Sequence, residues 1–289
     1  MSLFSMMMPA VRKTVKQIVP ERVRLLRYEL YEKARYYPEI VFSLGRRLEC
    51  PFCKWHFRRF RPSGFHYPIL SEKRVVGGHW HQDNVCPRCL SNARERLVYL
   101  FLKNRTEVYN QRLRILHIAP EPKLESTLLQ CRYVVYITAD LFESGVMTRF
   151  DILSMPFARD TFDVVICNHV MEHVSDDQAA MAEVFRVLRP DGWALLQVPI
   201  ALALEKTVED PSATSEADRI RLFGQRDHVR LYARADYLAR LEAAGFIVRV
   251  HRYTEDLGDE LVKRYGLVKD EEIYIVRTPN PKQRKGGVC

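Results

Sequence analysis

The chain has 289 residues, of which 47% are hydrophobic and 28% are charged, and its formal net charge is +9. This composition is typical of a folded protein with a sizeable core, which excludes a disordered or fibrous chain. No window contains eighteen consecutive apolar residues, and the first residues lack the long apolar stretch of a secretory signal. We therefore expect a cytoplasmic protein without a transmembrane segment.

Residues 1–48 are predicted to form a basic helical segment. Apolar residues recur at helical spacing at Val23, Leu26 and Leu30, with arginines and lysines around them. Such a helix either packs its apolar stripe on its own domain or lies on an anionic membrane surface, so peripheral membrane contact stays open. The surplus of basic residues here is typical of an anionic neighbour, such as nucleic acid, a membrane or a phosphorylated substrate, and equally of a solvated basic face that aids solubility.

Four of the seven cysteines form two C-x-x-C pairs. The pairs are Cys50 with Cys53 and Cys86 with Cys89. Two such pairs supply the four thiolates of a tetrahedral zinc site, and an odd total makes a complete disulfide framework improbable. Because four cysteines leave the metal no open position, we predict a structural zinc in a ribbon-like module over residues 49–95.

The residues between the two cysteine pairs carry further patterns. Gly77 and Gly78 suit the turn of a β-hairpin, and His79 and His81 are reserve metal ligands. In residues 54–67 cations alternate with aromatic rings. This alternation is typical of single-stranded nucleic-acid binding, and equally of a small module that covers itself with arginine stems and rings.

Residues 96–279 alternate short apolar runs with helical patterns, which is typical of an α/β fold with a parallel sheet. Strands are predicted at 114–119, 133–138, 163–167, 194–198, 246–252 and 273–277, and helices at 123–130, 176–188 and 234–244. Ser175 is the predicted N-cap of the second helix, and Gly245 suits the end of the third. Residues 280–289 are expected to be a disordered tail.

Residues 151–173 carry the most specific motif. They read D-I-L-S-M-P-F and, after a short acidic turn, F-D-V-V-I-C-N-H-V-M-E-H. This resembles the D-x-x-x-L-P-F … F-D-x-V segment of class I S-adenosylmethionine-dependent methyltransferases, in the type-11-like group that includes quinone-biosynthesis enzymes. The resemblance implies a Rossmann-like sheet of seven strands with helices on both faces, the last two strands antiparallel, and S-adenosyl-L-methionine as the cofactor.

The same resemblance implies a set of cofactor-binding residues. Where the family has a Gly-x-Gly-x-Gly turn after the first strand, this chain has H-I-A-P-E, a turn similar to that of some bacterial methyltransferases. Glu121 is expected to reach the methionine amino group, Asp140 the ribose hydroxyls, and Asp151 the adenine amino group. The full set is His117, Ala119, Glu121, Asp140, Leu141, Asp151, Ile152, Asn168 and His169.

Residues 223–232 lie where this fold builds acceptor sites. Asp227 and His228 are predicted to form an oriented general base, and His169 is the competing base. Arg226 and Arg230 are predicted to hold an anionic acceptor. The plainer alternative is a polar loop before the next helix.

Residues 169–173 also match H-x-x-E-H, a zinc-peptidase signature. We interpret this match as fortuitous, because it begins at the end of an apolar strand, where the two histidines need not share a helical face.

Three functions follow from these patterns. The leading one is a methyltransferase that acts on an oxygen or nitrogen of a small molecule or glycan. The second is an RNA methyltransferase whose zinc module grips RNA. The third is a catalytically degenerate binding protein, because the glycine turn is missing.

Overall fold

The computed structural model describes residues 38–280. Residues 1–37 and 281–289 lie outside the described residues, and with them most of the predicted basic helix and of the predicted disordered tail. From Gly45 onward the described residues form one compact unit. The cysteine-rich part and the α/β part therefore belong to the same unit.

The cysteine-rich part consists of short elements. In chain order they are β1 (Leu44–Glu49), β2 (His56–Phe57), β3 (Arg61–Ser63), α1 (Pro68–Glu72), β4 (Val75–Val76) and β5 (His81–Val85). The predicted hairpin turn at Gly77 and Gly78 is wrong, because these glycines connect β4 and β5, which belong to different sheets. Their φ angles are 87° and 100°, so the chain changes direction there in a conformation that favours glycine.

The α/β part is built on a seven-stranded mixed sheet, as predicted. Its strands are β6 (Arg114–Ile118), β7 (Val135–Asp140), β8 (Thr148–Arg149), β9 (Phe162–Asn168), β10 (Leu188–Gln197), β14 (Ile247–His251) and β15 (Ile273–Arg277). They lie in the order β14-β15-β10-β9-β6-β7-β8. This arrangement is the Rossmann-like methyltransferase fold.

The direction of one strand differs from the prediction. Only β15 runs against its neighbours, whereas β14 is antiparallel to β15 and so points the same way as the central strands. The helix between them, α7 (Tyr253–Arg264), is broken at Gly258, which has φ 78° and ψ 158°.

Six longer helices pack around the sheets. They are α2 (Ala93–Arg105), α3 (Pro122–Leu128), α4 (Asp177–Val187), α5 (Glu216–Phe223), α6 (Arg234–Ala243) and α7. The predicted N-cap Ser175 is wrong, because the Asp176 side chain accepts the hydrogen bond from the backbone N–H of Ala179. Gly245 follows α6 with φ 96°, as expected of a residue that ends a helix.

Successive side chains of the central strands point to opposite faces of the sheet and so form two apolar layers. Leu116 and Val165 face a cluster that includes residues of α4 and α6, whereas their neighbours Ile115 and Val164 face a cluster that includes residues of α2 and α7. All four side chains are fully buried. Each such side chain contributes about 1.5–3 kcal/mol by leaving water, so these layers hold the sheet rigid beneath its carboxyl edge.

A second, four-stranded sheet joins the two parts of the unit. It contains β11 (Ile200–Ala201), β12 (Val208–Glu209) and β13 (Arg230–Ala233), and β4 of the cysteine-rich part is its edge strand. β4 pairs antiparallel with β11, which directly follows the central strand β10. The cysteine-rich part is therefore hydrogen-bonded to the backbone beside the carboxyl edge of the main sheet. Within the described chain, no helix is both long enough and apolar enough to span a membrane.

Candidate functional site

The turn after β6 holds a buried carboxylate. His117 is fully buried, with Nδ1 2.8 Å from the Tyr136 hydroxyl and Nε2 2.9 Å from Oε2 of Glu121. A carboxylate only accepts hydrogen bonds, so we assign the proton to Nε2, and Nδ1 accepts from Tyr136. His117 thus orients Glu121 rather than presenting its own ring at the edge of the sheet.

The second oxygen of Glu121 faces the end of β9. Asn168 Nδ2 donates to Oε1 of Glu121 at 3.0 Å, and Arg94 Nε lies 3.9 Å from the same oxygen. Burial alone would raise the pKa of Glu121, but the hydrogen bond and charge of His117, together with Arg94, lower it overall. Glu121 is therefore a charged acceptor, and Asn168 leaves its buried Oδ1 without a hydrogen-bond partner beside it.

Two residues at this edge have left-handed backbones. Ala119 has φ 50° after β6, and His169 has φ 54° after β9. The N–H of each still bonds across the sheet, to the carbonyls of Ala139 and Gln197. The chain thus makes at Ala119 the kind of turn for which related sequences use glycine, at a cost of roughly 1–2 kcal/mol for a residue with a Cβ.

The predicted acidic residues also lie at this edge. Asp140 ends β7, and its Oδ1 accepts from the N–H groups of Phe142 and Glu143 at 2.7 and 2.9 Å. Asp151 is exposed, and its Oδ1 accepts from the N–H of Leu153 at 2.9 Å. In each carboxylate one oxygen is held by backbone, which fixes the orientation of the other.

The two apolar members of the predicted set are placed differently. Leu141 is 46% exposed beside Asp140, whereas Ile152 is 6% exposed and belongs to a core cluster. Leu141 is available to a ligand at the surface. Ile152 mainly anchors the loop that carries Asp151.

The four paired cysteines come together although 32 residues separate the pairs. Sγ of Cys50 lies 3.5 Å from Sγ of Cys89, and Sγ of Cys53 lies 3.8 Å from Sγ of Cys86. All four thiols are free and lie within 4.8 Å of one another. Ligands about 2.3 Å from a tetrahedral zinc would be about 3.8 Å apart, so the spacing suits such an ion. The reserve ligands His79 and His81 are not members of this group.

A second group of metal-ligand side chains follows β9. Glu172, His173 and His228 place one ligand atom each within 4.8 Å of the others. His169 Nδ1 lies 3.2 Å from Oε1 of Glu172. The H-x-x-E-H match is interpreted as fortuitous from the sequence, because two histidines near a strand end do not suggest a peptidase helix. Residues 169–173 are indeed not helical, but His228 arrives from another loop to complete the group.

Asp227 approaches His173 rather than the predicted partner His228. Asp227 Oδ2 lies 3.6 Å from Nδ1 of His173, and His173 packs edge-on against His228. His228 is 2% exposed, and burial lowers its pKa to about 4, although the Glu172 carboxylate opposes this. Burial likewise lowers the pKa of His169. The side chain that Asp227 orients is thus His173.

The predicted acceptor role of Arg230 is wrong. Arg230 is 4% exposed, its Nε donates to Glu209 at 2.6 Å, and its other nitrogens bond the carbonyls of Met171, Val174 and Ser175. This arginine holds the loop after β9 in place, because it donates to three of the loop's carbonyl groups at once.

A cavity of about 300 Å³ lies between the cysteine-rich part and the sheet. Its polar lining includes His79, His81, Arg94 and Glu271, and the first three have a buried ring or guanidinium nitrogen without a hydrogen-bond partner. Burial raises the pKa of Glu271 to about 7, although Arg94 opposes the shift. Gly77 also lines the cavity, and a Cβ there would lie 3.0 Å from Cε1 of His169. Gly77 therefore lies between this cavity and His169, which is not itself part of the lining.

The aromatic rings of residues 54–67 are partly packed inside the module, whereas Trp55 and Phe65 are 40% and 41% exposed. Phe57 and Phe60 are buried, the guanidinium of Arg96 lies over Phe60, and that of Arg88 lies over Trp55. Of the two interpretations of this stretch, the packing favours a module that covers its own rings.

Comparison with known proteins gives a consistent result. Residues 132–196 match the family model described as "Methyltransferase domain". A 43-residue stretch is 46% identical to the uncharacterized methyltransferase YcgJ of Bacillus subtilis, covering 15% of this chain and 17% of that relative. The chain thus spans about a sixth of the length of the curated relative that it matches.

Solved methyltransferase structures are similar to part of the chain at low identity. The YcgJ structure superposes with a TM-score of 0.40 and 19% identity over 64% of this chain and 98% of that one. Phosphoethanolamine N-methyltransferase 2 of Haemonchus contortus, solved in complex with S-adenosyl-L-methionine, gives 0.44 and 13% identity over 64% and 52%.

Proposed function

We propose that this protein is an S-adenosylmethionine-dependent methyltransferase. The main support for the proposal is the position of the family match within the fold. Residues 132–196 include β7 and β9 and nearly all of β10, and so include Asp140, Asp151 and Asn168 at one edge of the sheet. In open α/β sheets, ligands bind outside the carboxyl ends of the strands.

The polar groups at this edge fit the cofactor. The charged Glu121 and the unpartnered Oδ1 of Asn168 offer two adjacent acceptors for the methionine ammonium. The free oxygen of Asp140 suits the ribose hydroxyls, and Asp151 with the exposed Leu141 suits the adenine end. When bound, the cofactor supplies a methyl group on a positively charged sulfur.

His169 is the better of the two predicted bases. It follows β9 directly and lies next to Gly77 of the cavity wall, and its Nδ1 is held by Glu172, which leaves Nε2 to receive a proton from an acceptor. His228 is more deeply buried, and Asp227 orients His173 in its place. We therefore assign proton transfer to His169 and treat Asp227 and His228 as part of its surroundings.

The acceptor that we propose is a small molecule or a single sugar unit, methylated on oxygen or nitrogen. A cavity of about 300 Å³ suits a compound of that size, and its unpartnered nitrogens suit an anionic or oxygen-rich one. RNA remains the alternative, but nothing in the packing of residues 54–67 favours it over self-coverage. The buried Glu121–Asn168 acceptors argue against a degenerate protein that binds no cofactor.

We also propose a structural zinc bound by Cys50, Cys53, Cys86 and Cys89. Four thiolates and no open position suit a closed tetrahedral site, whose role is to hold the module together. A reducing, cytoplasmic location accords with four free thiols.

Titration calorimetry with S-adenosylmethionine tests the cofactor. We expect micromolar binding, weakened at least about tenfold in Asp140→Ala, because a bidentate charged hydrogen bond is lost. Asp259→Ala, an exposed carboxylate elsewhere, is the matched control and should bind normally. No binding by the unaltered protein would contradict the proposal.

Labelled cofactor and cell extract test the acceptor class. The proposal expects label in compounds of low molecular mass, unchanged when the extract is first treated with ribonuclease. Label that disappears after that treatment would favour the RNA methyltransferase instead.

A further inference from the structure

Glu172, His173 and His228 form a group that the proposed methyl transfer does not require. The three residues come from the loop after β9 and the loop before β13, and their ligand atoms lie within 4.8 Å of one another. Nitrogen ligands about 2.0–2.1 Å from a tetrahedral ion would be about 3.3 Å apart, which lies within the 4.8 Å limit of this group.

The partners of these side chains leave ligand atoms free. Glu172 is 1% exposed, and its Oε1 lies 3.2 Å from Nδ1 of His169. Its Oε2 and the buried Nδ1 of His228 have no hydrogen-bond partner. Buried polar atoms normally have a partner, and a metal ion would supply one to both.

His173 shows the arrangement of a metal-bound histidine. Its Nδ1 lies 3.2 Å from the carbonyl oxygen of Asp227, to which it can donate, and 3.6 Å from the Asp227 carboxylate. Histidines that bind metals usually donate one ring N–H to a carbonyl or carboxylate, which orients the other nitrogen toward the ion. Nε2 of His173 is thereby left as a ligand. The side chain is 34% exposed, which gives an ion a route from solvent.

Nearby charges do not oppose a cation. Arg230, two residues after His228, forms an ion pair with Glu209 at 2.6 Å and lies 3.8 Å from Asp177. The carboxylates of Glu172, within the group, and of Asp227, beside His173, add negative charge that favours a cation.

We infer that Glu172, His173 and His228 bind a divalent transition-metal ion, separate from the four-cysteine site. Two imidazoles and one carboxylate are the ligands that zinc, iron(II), cobalt(II) and related ions accept, and three protein ligands leave coordination positions open. The four-cysteine site, by contrast, has none open.

The open positions suggest a role that rests on the proposed function. An ion here, beside His169, would hold an acceptor hydroxyl and lower its pKa. The hydroxyl proton passes to Nε2 of His169, and the freed oxygen pair forms a bond to the methyl carbon. The sulfur keeps the electron pair of the broken carbon–sulfur bond and leaves as a neutral thioether.

Cobalt(II) titration of the full-length, zinc-loaded protein tests the site. We expect one equivalent to bind, with the weak visible bands of nitrogen and oxygen ligation and without the thiolate charge-transfer bands that exchange at the cysteines would give. His173→Ala and His228→Ala should each weaken binding at least about tenfold. His66→Ala, an exposed histidine that stacks on Trp80, should bind cobalt normally.

Calorimetry with S-adenosylmethionine on the same samples separates the possible failures. Cofactor binding by His173→Ala shows that the variant is folded, so its loss of cobalt then supports the site. If the unaltered protein binds cofactor but no cobalt, or if the variants bind cobalt as well as it does, the metal site is wrong and the methyltransferase proposal stands. If cobalt binds and the cofactor does not, the proposed function fails and the metal site stands.

Discussion

The cysteine-rich part and the main sheet are stabilised in different ways. The sheet rests on two large apolar layers, so its stability is spread over many side chains. The cysteine-rich part has strands of two to six residues and draws its compactness from four thiols and a few buried rings. A small part that cannot bury enough apolar surface depends on a few strong interactions. The loss of one of them should therefore lower its stability more than the loss of one contact lowers that of the sheet.

Zinc removal should give the largest difference between the two regions. Chelation, or Cys86→Ser, is expected to abolish the protection of backbone amides from hydrogen exchange in residues 50–91, because zinc binding supplies about 10 kcal/mol or more to such modules. Amides of β6 and β9 should keep their protection. Cys131→Ser, a partly buried thiol away from the four-cysteine group, is the control. Equal loss of protection in both regions would mean that the two parts unfold as one.

Arg96 is the strongest link between the two regions. It is fully buried and donates to the carbonyls of Ser91 and Asp83 on one side and of Tyr265 and Gly266 on the other. Burial lowers its pKa to about 10, while the nearby cysteine thiols oppose the shift. Arg96→Met should lower the free energy of unfolding by about 3–5 kcal/mol in urea, because several carbonyls lose their donor.

Arg105 provides the matched control for this substitution. It lies in the last turn of the same helix, is 50% exposed and pairs with Asp256 at 2.8 Å. Arg105→Met should cost less than about 1 kcal/mol. Equal effects of the two substitutions would rule out Arg96 as the link.

Glu271 should make the boundary between the regions sensitive to pH. Burial raises its pKa to about 7 from an ordinary value of 4.5, so the folded state binds the proton more tightly. Stability is then highest below the ordinary value and falls as pH rises through about 7. Glu271→Gln should change little at about pH 5 and raise the free energy of unfolding by up to about 3 kcal/mol at about pH 8.5. An equal effect at both values would contradict the shift.

The smallest expected effect concerns the turn after β6. Ala119→Gly removes the left-handed strain but adds freedom to the unfolded chain, so we expect a gain of about 1 kcal/mol or less in thermal unfolding. Ala139→Gly, at a buried strand position, should destabilise. A loss of stability in Ala119→Gly would show that the backbone at this turn carries little strain.

The sequence predicts the sheet well because the central strands contain short apolar runs, which in β7, β9 and β10 end at a polar residue. It also indicates the cysteine group, since C-x-x-C spacing determines a ligand turn locally. It misses α2, although Asn92 and Glu95 form a capping box, a signal present in the sequence. Arg94 was missed in the same stretch.

What the sequence cannot indicate is how distant loops meet. His228 joins Glu172 across 56 residues, and Arg230 turns inward, although in the sequence it looks like a surface ligand. β15 runs antiparallel to both β14 and β10, and the apolar run of residues 273–277 does not predict a direction. These features arise from tertiary packing, which periodicity does not encode.

The pairing of β4 with β11 has a consequence for how the protein would mature. Gly77, immediately after β4, closes one side of the cavity against His169, so the metal-dependent part contributes a wall to the site. A newly made chain whose sheet has folded, but whose cysteines have not yet acquired zinc, would hold its cofactor residues in place and still lack that wall. Supply of the metal in the cell would then limit how much of the folded protein can recognise an acceptor.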